Sequence, residues 1–139
     1  MLYSEAFQKL GYRLVRPRLD WTASKDDGIC VSLWKKEIDW EARPLSMSSQ
    51  VRSGPLEDWV GRHGNKLRKK HLAVALKEYG GWVDAVIVEG EPGAGVDRAE
   101  PWRPEARQGL KWRVVAFDVE TGHFTVEAHQ MRDVGVANL

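Results

Sequence analysis

Apolar positions along the chain fall into short runs separated by turn residues, with one clear helical period. Leu72, Ala75, Leu76 and Tyr79 recur at i, i+3, i+4 and i+7, which predicts a helix from about 65 to 79 ended by Gly80-Gly81. A shorter helix is expected at the start, with Ser4 as N-cap, Ala6, Phe7 and Leu10 as its apolar side and Gly11 as its stop. Ile29, Val31 and Leu33 share one face of a strand that follows the turn Asp26-Asp27-Gly28. From Trp82 to Val88 the run is apolar except for Asp84, as expected of a central strand covered on both faces. Residues 111–118 and 123–129 read as a hairpin closed around Val119-Glu120-Thr121-Gly122, with Phe124, Val126 and Ala128 facing inward.

Two stretches lack a period. Residues 41–61 hold two prolines and four serines and read as an irregular connection, while residues 90–109 hold four glycines and three prolines and read as a long Gly/Pro-rich loop. A loop of that length is usually functional or mobile. The expected fold is therefore α+β: four or more mostly antiparallel strands, one long amphipathic helix covering a face, and a single compact domain over 1–139. No βαβ alternation is seen, which disfavours a doubly wound nucleotide-binding sheet.

Composition narrows the class. At 139 residues there is room for one ordinary core, and the lone Cys30 allows no internal disulfide, so a reducing and hence cytoplasmic setting is expected. Neither a membrane span nor a secretory signal is expected from the hydropathy pattern. The formal net charge of +1 hides an uneven distribution. Six basic residues and no acid lie between Arg62 and Lys77, whereas six acids against Arg98 and Arg103 lie between Asp84 and Glu105. Such a basic stripe either contacts phosphates, with Arg13, Arg16 and Arg18 helping if the N-terminal segment folds nearby, or simply keeps a helix face solvated.

The stretch Val60-Gly61-Arg62-His63-Gly64-Asn65-Lys66-Leu67 resembles the GxxG loop of KH domains, where close backbone approach holds a short run of sugar-phosphate. The resemblance implies such an approach at Gly61 and Gly64. It does not extend to the fold, because the preceding helix would run through Gly54-Pro55 and the chain ends in a hairpin where the KH pattern has a helix. Seven tryptophans are the other unusual feature, and those placed in loops, Trp21, Trp40, Trp59 and Trp102, offer indoles that could stack on a base or pack as lids over sheet edges.

Catalytic and cofactor motifs are missing: there is no nucleophile elbow, Walker loop, dinucleotide fingerprint or HExxH, and no cofactor or metal is expected. Asp84, Glu89 and Lys111 resemble the acids and lysine of metal-dependent nucleases only in residue type, and His123 and His129 are too far apart along a strand to share an ion. The expected function is a non-enzymatic nucleic-acid-binding domain using Gly61, Arg62, Gly64, Lys66, Arg68, Lys69, Lys70 and Lys77 with Trp59 as a stacking platform. The alternative is a protein-interaction module, an inhibitor or adaptor, using Trp102, Arg98, Arg103 and Arg107, since Trp and Arg dominate interface hot spots. An enzyme using Asp84, Glu89 and the histidines ranks below both.

Overall fold

A computed structural model describes residues 1–50, 59–91 and 95–131. In chain order these form α1 (Tyr3–Lys9), β1 (Thr22–Lys25), β2 (Gly28–Trp34), β3 (Ile38–Asp39), β4 (Ser46–Ser48), α2 (His63–Glu78), β5 (Trp82–Glu91), β6 (Gly95–Pro101), β7 (Leu110–Phe117) and β8 (Phe124–Gln130). The eight strands make one sheet in the order β1-β2-β5-β7-β8-β4-β3, with β6 also paired to β5. Among the described residues only the β2/β5 pair is parallel. The α+β class with a mostly antiparallel sheet is as expected.

Strand β5 is central because its side chains serve two cores. Val83, Ala85 and Ile87 join Ile29, Val31 and Leu33 of β2, Trp112 and Val114 of β7, and Leu72 and Ala75 of α2. Val86 and Val88 point the other way with Cys30, meeting Ala6 and Phe7 of α1 and Ala99 of β6. A strand buried on both faces loses the polar alternation of a half-exposed one, which is why the run from Val83 to Val88 is almost wholly apolar.

Helix α2 departs from the expected long amphipathic helix. It has 16 residues and starts at His63, so Gly64 lies in its first turn. Leu72 and Ala75 are buried, but Leu76 is 43% exposed. The inner side of its first half carries Gly64, Asn65 and Arg68 rather than apolar residues, which narrows the apolar stripe. In α1 Leu2 is the N-cap and Ser4 lies inside the helix.

The segment 90–109 is not a long loop. It contains the whole of strand β6, paired antiparallel to β5, followed by a short 3-10 turn at Pro104–Ala106. Gly90 sits at the register shift of β5 with φ +142°, where a Cβ would lie 2.4 Å from the Gly95 carbonyl, and Pro104 opens the 3-10 turn. Trp102 is 3% exposed, donates Nε1–H to the Leu110 carbonyl at 2.9 Å and meets Trp112 edge-on at 5.2 Å, so it belongs to the core. Within 41–61, β4 pairs with β8, and residues 51–58 lie outside the described residues.

Candidate nucleic-acid interface

The basic side chains sort by whether the fold already engages them. Arg68 is committed to the interior: its guanidinium faces the rings of Trp21, Phe124 and Trp59 at 4.7, 4.8 and 6.0 Å. Desolvation pushes its pKa down to about 10, with the Glu37 carboxylate opposing the shift. Its Nη2 contacts Asn65 Oδ1 at 3.4 Å. Lys69 donates to the Glu120 carbonyl at 3.2 Å. Trp59 is 7% exposed and packs edge-on to His123 at 4.8 Å, so the expected stacking platform is a buried ring.

The two glycines of the GxxG sequence also differ. Gly61 is exposed, with open space where a Cβ would stand. Gly64 is buried because its missing Cβ makes room for Trp21, whose ring atoms would lie 2.2–2.4 Å from a side chain there. Gly64 therefore approaches an indole and not a phosphate chain. Fully buried Asn65 fastens this corner by donating Nδ2–H to the carbonyls of Val60 and Thr121 at 2.9 and 3.0 Å.

Lys66, Lys70 and Lys77 are exposed on α2, as is Arg62 at its N-cap. Among the described residues the side chains of Lys66, Lys70 and Lys77 have no hydrogen-bonded or ionic partner, and neither do those of Arg13 and Arg16. The N-terminal segment does fold against this helix. Arg13, Arg16, Asp20, Thr22 and Ser24 form one wall of a cleft of about 270 Å³, and His63, Leu67 and His71 form the other. The spacing i, i+4, i+8 brings the last three to one side of α2, and Lys66 and Lys70 occupy the adjoining strip of its surface.

The cleft floor is tightly bonded. Asp20, whose side chain is 1% exposed, accepts from His63 Nε2–H at 2.8 Å and from the Arg16 backbone N–H at 2.9 Å. Tyr3 donates its hydroxyl to the Asp20 carbonyl at 2.9 Å, anchoring the turn from α1. Thr22 Oγ1, fully buried, lies 2.6 Å from His71 Nδ1. Burial holds the His71 ring below the usual imidazole pKa, opposed by the Asp20 charge. A buried carboxylate, two imidazoles and two unpaired arginines thus converge at the first half of a helix whose dipole adds positive potential at its N-terminus.

The other candidates are engaged elsewhere. Arg98 pairs with Glu89, which also binds Lys35; these contacts hold the Glu89 carboxyl at about 2. Arg103 donates to the Lys9 carbonyl at 3.3 Å, and Arg107 stacks 4.5 Å above Trp102. Asp84 accepts from the Tyr12 hydroxyl at 2.6 Å and lies 3.6 Å from Lys111 Nζ. His129 meets Glu127 at 2.9 Å. Among the described residues no group of three or more metal-ligating side chains converges.

Asp20, Thr22 and His71 carried no motif in the sequence. The signal available for the cleft was the placement of His63 and His71 two turns apart on one helix side, with Leu67 between them. No helix among the described residues is long and apolar enough to cross a membrane. No protein-family model, curated protein or solved structure matches the chain.

Proposed function

We propose that the protein is a nucleic-acid-binding domain whose contact surface is the cleft between residues 13–24 and α2. The observation that carries this reading is that Arg13 and Arg16, whose side chains have no intramolecular partner among the described residues, line a cleft with two imidazoles, while the equally partnerless Lys66 and Lys70 occupy the adjoining strip of α2. Partnerless guanidinium and ammonium groups bind phosphates without first breaking an internal ion pair. Lys77 lies seven residues beyond Lys70, about 10 Å along the helix axis, and extends the stripe for a neighbouring phosphate.

The test is retention of a fluorescein-labelled single-stranded oligonucleotide at low salt, repeated over a salt series. Four phosphate contacts give a slope of log affinity against log salt of roughly −2.8 for a single strand and −3.6 for a duplex. No retention at low salt, or an affinity indifferent to salt, overturns the proposal. The protein-interaction alternative draws less support from the structure, since Trp102 is buried and Arg98, Arg103 and Arg107 are held by Glu89, Lys9 and Trp102.

A further inference from the structure

We propose that the cleft cleaves RNA, with His71 and His63 acting as base and acid on a phosphodiester held by Arg13 and Arg16; this rests on the nucleic-acid reading above. The geometry comes from the chain opposite the helix. Asp20 and Thr22 are two residues apart, so their Cα atoms are separated by at most about 7 Å. Each holds one imidazole, at 2.8 Å for His63 and 2.6 Å for His71. The two rings, two turns apart and about 12 Å along α2, are thereby fixed on the wall of one cleft with two guanidinium groups. That is the set of groups needed to move one proton off, and one proton onto, the oxygens flanking a phosphorus while its charge is neutralised.

The two imidazoles are held differently, which assigns their roles. Burial holds the His71 pKa below the usual imidazole value, so this ring is neutral at pH 7. In the tautomer that donates Nδ1–H to Thr22, its Nε2 carries the lone pair of a base. His63 donates Nε2–H to the buried Asp20 carboxylate, which leaves Nδ1 as the atom that hands on a proton in this scheme. Asp20 and Thr22 are positioning residues in this scheme.

Thr22, the hydroxyl bonded to His71, is fully buried, so the nucleophile comes from the substrate. The 2′-hydroxyl of RNA attacks the adjacent phosphorus, and its proton passes to His71. The bond from phosphorus to the 5′-oxygen breaks, and that oxygen takes the proton of His63. The products are a 2′,3′-cyclic phosphate and a 5′-hydroxyl, with no redox change and no further reactant. DNA, lacking the 2′-hydroxyl, is bound without being cut.

The test is incubation of purified protein with an end-labelled single-stranded RNA in EDTA, with product ends identified by mass spectrometry. Expected are 2′,3′-cyclic phosphate ends, intact DNA and intact fully 2′-O-methylated RNA. His63→Gln and His71→Gln should each slow cleavage by about a hundredfold or more. If His71→Gln lowers the melting temperature, the product ends and the 2′-O-methyl control on the unaltered protein still decide the matter. Retention of 2′-O-methyl RNA without cleavage of RNA overturns this inference and leaves the binding proposal standing. Cleavage that survives both substitutions together also overturns it, and failure to retain any oligonucleotide overturns both readings.

Discussion

Replacing Gly64 by Ala separates a packing role from a phosphate-contacting one at the GxxG sequence. A Cβ at Gly64 would lie 2.2, 2.4 and 2.4 Å from Cε2, Cδ2 and Nε1 of Trp21. Carbon atoms in ordinary contact are about 3.5–4.0 Å apart, so the ring or the helix start has to move by more than an ångström. The ring is confined by the Arg68 guanidinium 4.7 Å from its centre, and Arg68 Nε is itself buried without a hydrogen-bond partner among the described residues. Overpacking of this kind costs about 1–3 kcal/mol. Ala in place of Gly returns up to about 1 kcal/mol of helix propensity, less in a first turn. The expected net loss is about 1–2 kcal/mol, read as a lower urea midpoint at unchanged slope. Gly61→Ala is the internal control, because nothing lies within 4 Å of its Cβ and its φ is not positive. It should be neutral or slightly stabilising. Equal stability of Gly64→Ala and the unaltered protein would refute the packing account, and so would a larger loss for Gly61→Ala.

Three further outcomes are expected. Trp102→Ala should lower stability by about 3–5 kcal/mol in urea unfolding, because a 3% exposed indole and its hydrogen bond to Leu110 are lost; a well-folded variant would mean that the 95–101 strand and its sequel pack loosely. Stability should fall between pH 7 and pH 5.5. Desolvation depresses the pKa values of His71 and His123, aided at His123 by the Arg68 charge. Below about pH 6.5 the unfolded chain therefore binds more protons than the native one. The contribution is complete above that pH and lost as pH falls, so the double variant His71→Gln/His123→Gln should show a flatter melting-temperature profile over the window, and an equally steep one contradicts the assignment. Arg68→Glu should lower the melting temperature by several degrees while Lys66→Glu and Lys70→Glu leave it nearly unchanged, since only Arg68 is enclosed by aromatic rings; equal effects at the three positions would count against that enclosure.

Legibility in the sequence followed the strength of the local period. The β7/β8 hairpin, the doubly buried β5 and the β2 face of Ile29, Val31 and Leu33 could be read because alternation or unbroken apolarity is imposed by burial itself. Strand β6 could not, because Asp97, Arg98 and Glu100 are exposed on an outer strand that opens on Gly95 and closes on Pro101, so its composition is that of a loop. Short β1, β3 and β4 give too few residues for a period. For the site, six basic residues around α2 were visible as a run, but a run does not tell which cations are spent inside the fold. Arg68 and Lys69 sit beside Lys70 in sequence and are engaged by rings and a carbonyl, whereas Arg13 and Arg16, distant in sequence, face the same cleft as His63 and His71. That distinction depends on tertiary contacts made by Trp21, Asp20 and Thr22, none of which belongs to a local pattern.

The binding claim is tested most directly by the affinity of a labelled single-stranded RNA, 2′-O-methylated so that it stays intact, for the double charge reversal Arg13→Glu/Arg16→Glu. With both guanidinium groups removed from the cleft wall, the slope of log affinity against log salt should become shallower by about 1.4, or 0.7 per lost phosphate contact. The residual slope belongs to Lys66 and Lys70, and melting should be unchanged because neither arginine side chain has a partner among the described residues. Lys69→Glu, on a side chain already bonded to Glu120, should cost much less affinity. An Arg13→Glu/Arg16→Glu protein that binds with unaltered affinity and salt slope, while Lys69→Glu abolishes binding, would contradict the account and move the contact surface away from the cleft.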